Sequence, residues 1–230
     1  MSQSNSFAAL DGADEEVSMA SVQKSADSGS SQDEAKHGGT GVVRRRLKNP
    51  LVWVDLEMTG LDVERDTIIE VACIITDGDL GKEVQGPATA IHHSDAVLES
   101  MNDWCKEHHG KSGLTQRVRE STVSMEQAEQ DLLDFVQQHC EEGMAQLAGN
   151  SIHVDRMFLL KYMPRVTSYL NYRIVDVSSI KELSRRWFPQ AYRKAPRKKL
   201  AHTALSDIRE SIEELRYYRK TVFKSPNQCK

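Results

Sequence analysis

Apolar and polar residues first form a regular pattern after Pro50. Three runs rich in apolar and β-branched residues predict strands, and they cover residues 51–57, 67–76 and 83–92. Turn residues separate these runs, among them Thr59-Gly60 and Asp77-Gly78. Because the connections are short, we expect antiparallel neighbours, with the first strand in the centre of the sheet.

Helical spacing of apolar residues replaces the strand pattern from Ser94 onward. The predicted helices cover residues 95–107, 125–140, 153–163, 178–188 and 203–220, and two of them are expected to stop before Pro164 and Pro189. Apolar runs at 146–150 and 173–177 predict two more strands. This order predicts one α/β domain over about residues 48–222, with a mixed five-stranded sheet and helices on both faces.

The segment before the domain has a different composition. Its first 40 residues hold nine serines, seven acidic residues and two lysines. Such a segment cannot bury enough apolar surface to offset the entropy of ordering, so residues 1–47 are predicted to be a disordered acidic tail and 223–230 a flexible C-terminus. The acidic start matches neither a secretory signal nor an Arg-rich transit peptide. We therefore expect a cytoplasmic location, with organelle targeting as the alternative.

Overall charge and cysteine content narrow the function classes. The 230 residues carry a net charge of −4, so any site for a polyanion must be local. No apolar run reaches the roughly 18 residues that a membrane-spanning helix requires. The four cysteines are widely spaced and form no C-x-x-C pair, which indicates neither a disulfide framework nor a zinc knuckle and favours a reducing compartment.

Two acidic residues interrupt the first predicted strand. Asp55 and Glu57 are two residues apart, so their side chains point to the same face, about 7 Å apart along the strand. Like charges this close in a buried strand are unfavourable unless a cation neutralises them, which indicates a metal site made of carboxylate oxygens. The alternative is an edge strand whose polar face is simply hydrated.

Asp155, His202 and Asp207 complete a candidate constellation. Each residue alone is weak evidence for a site. An acid in a first helical turn, such as Asp155, most often serves only to interact favourably with the helix dipole. Together with Asp55 and Glu57, they have the composition required for phosphoryl transfer by two Mg²⁺ ions. In such a site the histidine accepts the proton of the attacking water as general base.

Three segments carry a recognisable pattern: Asp55-Leu56-Glu57-Met58-Thr59-Gly60-Leu61, then Gly149-Asn150-Ser151-Ile152 with Asp155, then His202-Thr203-Ala204-Leu205-Ser206-Asp207-Ile208. They resemble the DEDDh exonucleases and, within these, the oligoribonuclease family. The resemblance covers nearly all of residues 51–218 and extends to Lys161-Tyr162-Met163-Pro164, Asp176-Val177-Ser178 and Lys181-Glu182-Leu183. It implies a ribonuclease-H-like fold, a homodimer, and 3′-to-5′ hydrolysis of very short RNA, chiefly dinucleotides, to 5′-mononucleotides.

The resemblance also implies roles for the acids. Asp55 would bridge two metal ions, Mg²⁺ or Mn²⁺, while Glu57 and Asp207 would bind the first and Asp155 would support the site. His202 would be the general base.

By the same resemblance, the substrate-binding residues would be Leu61 and Trp104 around the bases, His109 in the adjacent loop, a phosphate cap of Ser151, Arg173 and Ser178, and Tyr172 from the partner subunit. Such a cap would exclude longer chains.

Five of the substrate-binding residues have a plainer explanation. Leu61 would be a core residue, Trp104 a core or interface aromatic, Arg173 a surface charge, and both serines would be helix caps. The basic stretch 193–199 either attracts RNA or is a solvated loop. Two rival functions also remain: a DEDDh exonuclease that acts on longer RNA or DNA ends, and a catalytically silent nucleic-acid-binding module.

Overall fold

The structure is a computed structural model, and it describes residues 46–196 and 203–225. All of these residues belong to one unit of the chain, which spans Val42–Lys230. Nearly all of the predicted tail, residues 1–45, lies outside the described residues, as do 226–230, so the predicted disorder of both ends stays a prediction. Within the described part of the chain, every helix is too short or too polar to cross a membrane.

Five strands form one mixed sheet, as the sequence predicts. They are β1 (Leu51–Met58), β2 (Ile68–Thr76), β3 (Glu83–Ala90), β4 (Gln146–Gly149) and β5 (Asn171–Asp176). Their order is β3-β2-β1-β4-β5, with the first three antiparallel and with β1, β4 and β5 parallel. Because β1 is the central strand, the edge-strand explanation of its two acids is wrong.

Nine helices are found in the described residues. They are α1 (Asp95–Ser100), α2 (Asp103–Lys111), α3 (Leu114–Glu120), α4 (Met125–His139), α5 (His153–Tyr162), α6 (Pro164–Tyr169), α7 (Val177–Trp187), α8 (Pro189–Lys194) and α9 (Ala204–Thr221). The single helix predicted over 95–107 is interrupted, because the Asn102 side chain accepts a hydrogen bond from the Cys105 N–H and starts α2.

Both prolines that were expected to end helices also begin new ones. Pro164 and Pro189 occupy the first turns of α6 and α8. Proline suits this position, since its missing N–H would have no helical partner there and its φ is already near the helical value. The two short helices were therefore missed because proline was taken only as a helix terminator.

The two faces of the sheet are covered by different helices. Val52, Val54 and Leu56 of β1 pack in a core cluster with residues of α4, α5 and α6. Trp53, which alternates with them, packs in a second cluster with Ile208 and Ile212 of α9. Since side chains alternate along a strand, the acids of β1 share the α9 side of the sheet with Trp53.

Candidate active site

Three acidic side chains converge where β1 meets the start of α9. Asp55 and Glu57 come from β1, and Asp207 lies in the first turn of α9. One carboxylate oxygen from each lies within 4.8 Å of those from the other two, and all three side chains are partly buried. Hard oxygen ligands at this spacing suit a divalent cation. We call these residues the three-acid group.

Asp155, the fourth predicted acid, binds the backbone of the same strand from α5. It lies in the first turn of α5 and is only 8% exposed. Its Oδ1 accepts a hydrogen bond of 3.0 Å from the backbone N–H of Leu56, between the two β1 acids. Burial raises the pKa of Asp155 to about 7, against the lowering effect of its backbone hydrogen bonds. Asp155 thus holds the backbone from which Asp55 and Glu57 project.

Mutual repulsion marks Glu57 as a group that a cation would stabilise. Burial, followed by the negative charges of Glu70, Asp207 and Asp155, raises the pKa of Glu57 to about 7. Glu70 lies directly opposite Glu57 in the β1–β2 pairing. A bound divalent cation would offset this repulsion, so the residues present fit a metal site.

Glu70 itself was not singled out from the sequence. It is 8% exposed and accepts a hydrogen bond of 2.9 Å from Nη2 of Arg117, which anchors α3 to β2 beside the three-acid group. A single acid inside the run Ile68–Ile75 is a signal that could have identified it. The pairing with Arg117 is a non-local contact that no sequence pattern indicates.

His109 lies at the base of the site rather than on its surface. It is 2% exposed, its Nε2 lies 3.0 Å from the Met58 carbonyl oxygen, and its Nδ1 lies 3.8 Å from Oε2 of Glu57. Burial lowers the pKa of His109, which favours the neutral ring. The structure therefore brings His109 into contact with the three-acid group.

A cleft of about 330 Å³ opens beside the three-acid group. Its lining includes Glu57, His109, Leu61 and Trp104. Leu61 is 73% exposed, so it is not the core residue that its plainer explanation required. Trp104 is 66% exposed, so it is not a core aromatic either, and its alternative as an interface aromatic stays open. The Trp104 ring stacks on His108, with 4.5 Å between ring centroids and 11° between planes.

The two serines of the predicted cap lie close to each other. Ser151 is in the turn before α5, and Ser178 is in the first turn of α7. Ser151, at a φ of 52°, donates from its backbone N–H to Ser178 Oγ at 3.0 Å and to Asp176 Oδ1 at 2.9 Å. The N-cap of α7 is Asp176, and that of α5 is Ile152. Helix capping is therefore the wrong explanation for both serines, whose hydroxyl groups instead hydrogen-bond to each other, with Ser151 Oγ donating to Ser178 Oγ at 3.2 Å.

Arg173 and Tyr172 lie exposed on the edge strand β5. The Arg173 guanidinium carbon lies 4.7 Å above the centroid of the Tyr172 ring of the same chain. The structure thus places the Arg173 guanidinium over the Tyr172 ring. Tyr172 is 70% exposed, as a residue that reaches a neighbouring subunit would be.

Two predicted features fall in the gap between the described ranges. His202 lies outside the described residues, as do Arg197, Lys198 and Lys199 of the basic stretch. Arg193 and Lys194 of that stretch are described as exposed residues at the end of α8.

Comparison with known proteins identifies the family of this chain. Residues 52–215 match the family model described as Exonuclease. The human protein named "Oligoribonuclease, mitochondrial" is 58% identical over 190 residues, which cover 82% of this chain and 80% of the human protein. The chain belongs to the oligoribonuclease family of exonucleases. It is therefore a nuclease that hydrolyses phosphodiester bonds.

Further members of the oligoribonuclease family and a solved structure extend the comparison. The Arabidopsis thaliana oligoribonuclease is 49% identical over 222 residues, 96% of this chain and 97% of that protein. An exonuclease I from Methylocaldum szegediense has a TM-score of 0.57 and 20% identity, covering 75% of this chain and 41% of the solved chain. At that identity the solved structure supports the fold alone, and it agrees with the α/β sheet described above.

Proposed function

We propose that this chain is a 3′-to-5′ exoribonuclease that hydrolyses very short RNA, chiefly dinucleotides, to 5′-mononucleotides. The observation that carries the proposal is that Glu57 belongs both to the three-acid group and to the lining of the cleft with Leu61 and Trp104. A cleft of about 330 Å³ has the size of a small-ligand pocket rather than of a groove for a long strand. The oligoribonuclease names of its relatives support the same substrate class.

Two divalent cations, Mg²⁺ or Mn²⁺, are proposed to bind at Asp55, Glu57, Asp155 and Asp207. The clustered carboxylates of Asp55, Glu57 and Asp207 support this proposal, and the charge of Asp155 contributes to the raised pKa of Glu57. When bound, the ions would lower the pKa of the attacking water and offset negative charge at the scissile phosphate. The chain contributes a strand held rigidly by the Asp155–Leu56 hydrogen bond, so that the ligands keep their spacing.

His202 is proposed to be the general base. It would accept the proton of the water whose oxygen bonds to phosphorus, while the bond from phosphorus to the 3′-oxygen of the preceding nucleotide breaks. The phosphate then stays on the released nucleotide as its 5′-phosphate. A histidine suits this task because its ordinary pKa lies near neutrality, whereas a carboxylate bound to metal is a poor base.

Leu61 and Trp104 are proposed to hold the bases, with Trp104 as a stacking surface. Stacking tolerates any base, which suits an enzyme that degrades short RNA of every sequence. At the other end, Ser151, Arg173 and Ser178 would grip the 5′-phosphate through charge-assisted hydrogen bonds, and His109 would support the cleft floor. The distance between this cap and the three-acid group would then set the preferred length.

A homodimer is proposed, in which Tyr172 of one subunit completes the cap of the other. The exposed aromatic and aliphatic residues of β5, of α7 and of the position directly after α7 support it, since a monomer rarely exposes so many on an edge strand and the helix that follows it. They are Tyr172, Ile174, Leu183, Trp187 and Phe188. Sedimentation analysis checks this proposal, and a fully active monomer would contradict it.

The test of the proposed function is hydrolysis of 5′-labelled RNAs of two, three, five and twenty nucleotides, with Mg²⁺ or with EDTA, beside Asp55→Ala. We expect rapid, Mg²⁺-dependent loss of the dinucleotide, little attack on the 20-mer, and no turnover by the variant. Preference for the 20-mer would favour the alternative, an exonuclease for longer RNA or DNA ends. Inactivity of the wild type on every substrate would favour a silent nucleic-acid-binding module.

Location is a separate proposal. We propose a cytoplasmic location, with mitochondria as the alternative, because the human relative is named mitochondrial. Residues 1–45 fused to a fluorescent protein test this point, and mitochondrial fluorescence would overturn the cytoplasmic placement.

A further inference from the structure

A continuous series of hydrogen bonds connects the cap serines to the helix that carries Asp207. Ser151 Oγ donates to Ser178 Oγ at 3.2 Å, and Ser178 Oγ donates to Asn150 Oδ1 at 3.3 Å. Asn150 Nδ2 then donates to Ser211 Oγ at 2.7 Å, and Ser211 Oγ donates to the Asp207 carbonyl oxygen at 2.8 Å. Every hydroxyl and amide in the series donates in the same direction, so the bonds polarise one another.

Asn150 and Ser211, which connect the cap serines to Asp207, are not exposed substrate contacts. Ser211 is 4% exposed in the interior of α9, and Asn150 is half-buried in the turn between β4 and α5. That turn follows Gly149, where a Cβ would lie 2.9 Å from Ile152 Cδ1 and 3.1 Å from the Val54 carbonyl oxygen. The tight turn therefore fixes the Asn150 amide between the cap and α9.

A bound phosphate would compete with this series. A hydroxyl group has one proton, so Ser178 can donate to Asn150 or to a phosphate oxygen, but not to both at once. When Ser178 donates to the phosphate instead, Asn150 Oδ1 loses its hydrogen-bond donor. The strength of the hydrogen bonds from Asn150 to Ser211, and from Ser211 to the Asp207 carbonyl oxygen, then changes. Occupation of the cap is thereby communicated to the helix that holds one of the metal-binding acids.

We propose that Asn150 and Ser211 are positioning residues that couple occupation of the phosphate cap to the placement of Asp207. The inference rests on the proposed function and deepens it. Such coupling would raise turnover of a substrate that engages both the cap and the three-acid group. A chain too long to end in the cap would leave the coupling unused.

The experiment compares a dinucleotide with and without a 5′-phosphate, on the wild type, Asn150→Ala and Ser211→Ala. In the wild type we expect the 5′-phosphate to raise both affinity, measured in EDTA, and kcat. In the variants we expect the gain in kcat to fall roughly tenfold, the effect of losing one or two buried hydrogen bonds, while the affinity gain is largely kept.

A matched control and a conservative substitution separate coupling from general destabilisation. Thr221, also on α9, donates from Oγ1 to the Tyr217 carbonyl oxygen at 2.8 Å, as Ser211 does to Asp207, but lies at the far end of the helix. Thr221→Val should leave the phosphate effect unchanged, and Ser211→Thr should restore it. General destabilisation would lower turnover of both dinucleotides equally.

The outcomes distinguish the two proposals. A wild type that hydrolyses neither dinucleotide overturns the proposed function. A wild type that is active but indifferent to the 5′-phosphate, or variants that keep the full gain in kcat, overturn the coupling through Asn150 and Ser211 and leave the proposed function intact.

Discussion

The backbone N–H of Leu56 donates a 3.0 Å hydrogen bond to the buried Oδ1 of Asp155. Leu56 is the residue between Asp55 and Glu57, and its own side chain packs in the core on the opposite face. One carboxylate therefore fixes the backbone from which two others project. Asp155 combines a structural contact with a charge proposed to serve the metal site, and the two roles can be separated by substitution.

Asp155→Asn keeps an oxygen that can accept from Leu56 but removes the buried charge. We expect a fold at least as stable without metal at pH 8, with strongly reduced affinity for Mg²⁺ and strongly reduced turnover. Asp155→Ala also leaves the Leu56 N–H without its acceptor, and should lower the free energy of unfolding by about 1–3 kcal/mol. Urea unfolding and Mg²⁺ titration measure both effects, with Asp131→Asn as an exposed control. Full activity of Asp155→Asn would refute the need for its charge.

The raised pKa values predict opposite effects of pH on stability and on metal binding. Glu57 and Asp155 have pKa values of about 7 in the folded chain, above their ordinary values of 4.5 and 3.8. The folded state therefore binds more protons than the unfolded chain between about pH 4 and 7, so the metal-free protein loses stability as pH rises through that window. Above it both groups are charged, and a cation binds without displacing protons.

We therefore expect Mg²⁺ to raise the unfolding midpoint more at pH 8 than at pH 6. Thermal unfolding in EDTA and in Mg²⁺ across this range measures the difference. The double variant Glu57→Gln with Asp155→Asn should lose the pH dependence. An equal gain from Mg²⁺ at both pH values would contradict the assignment of these carboxyl groups to the metal site.

His202→Ala should lower kcat by about 10²–10⁴-fold, the usual contribution of a general base, with substrate affinity kept. His92→Ala, at an exposed histidine outside the cleft, provides the control. Steady-state kinetics on a dinucleotide measure the effect, together with affinity in EDTA. A variant as fast as the wild type would remove His202 from the mechanism.

Trp104→Ala should raise KM for the dinucleotide by about 5- to 150-fold, because a stacked base contributes roughly 1–3 kcal/mol. Phe223 is also exposed, at 52%, but lies outside the cleft, so Phe223→Ala should leave KM unchanged. Comparing the two variants on the same substrate provides the measurement. Equal values of KM for Trp104→Ala and wild type would show that the bases bind elsewhere.

Arg173→Ala should weaken dinucleotide cleavage more than cleavage of a pentamer, because only the shorter substrate depends on the cap for its charged end. The matched control is Arg119→Ala, since Arg119 is an exposed arginine paired with Asp95 and does not line the cleft. The ratio of kcat/KM for the two lengths is the quantity to compare. Equal losses on both lengths would disprove length selection by the cap.

Local patterns determined much of the fold and part of the site. Alternation along a strand is a property of the backbone, so the shared face of Asp55 and Glu57 followed from their spacing alone. Most strand and helix bounds were predicted within a few residues, because they also follow from the local spacing of apolar residues. There were exceptions: the Asn102 side chain divides one predicted helix, and Pro164 and Pro189 begin helices as well as ending them. The helix α3 (Leu114–Glu120) was not predicted at all.

Contacts between distant segments were decided only by the tertiary structure. The packing of α9 on β1 brings Asp207 to the two strand acids, and the strand register sets Glu70 opposite Glu57. The Asn150–Ser211 hydrogen bond likewise joins a turn to a helix far along the chain. A sequence specifies residue types and local periods, whereas register and helix packing depend on how whole faces fit together. The three-acid group was thus readable from the sequence, but Glu70 and the bonds that couple the residues of the site were not.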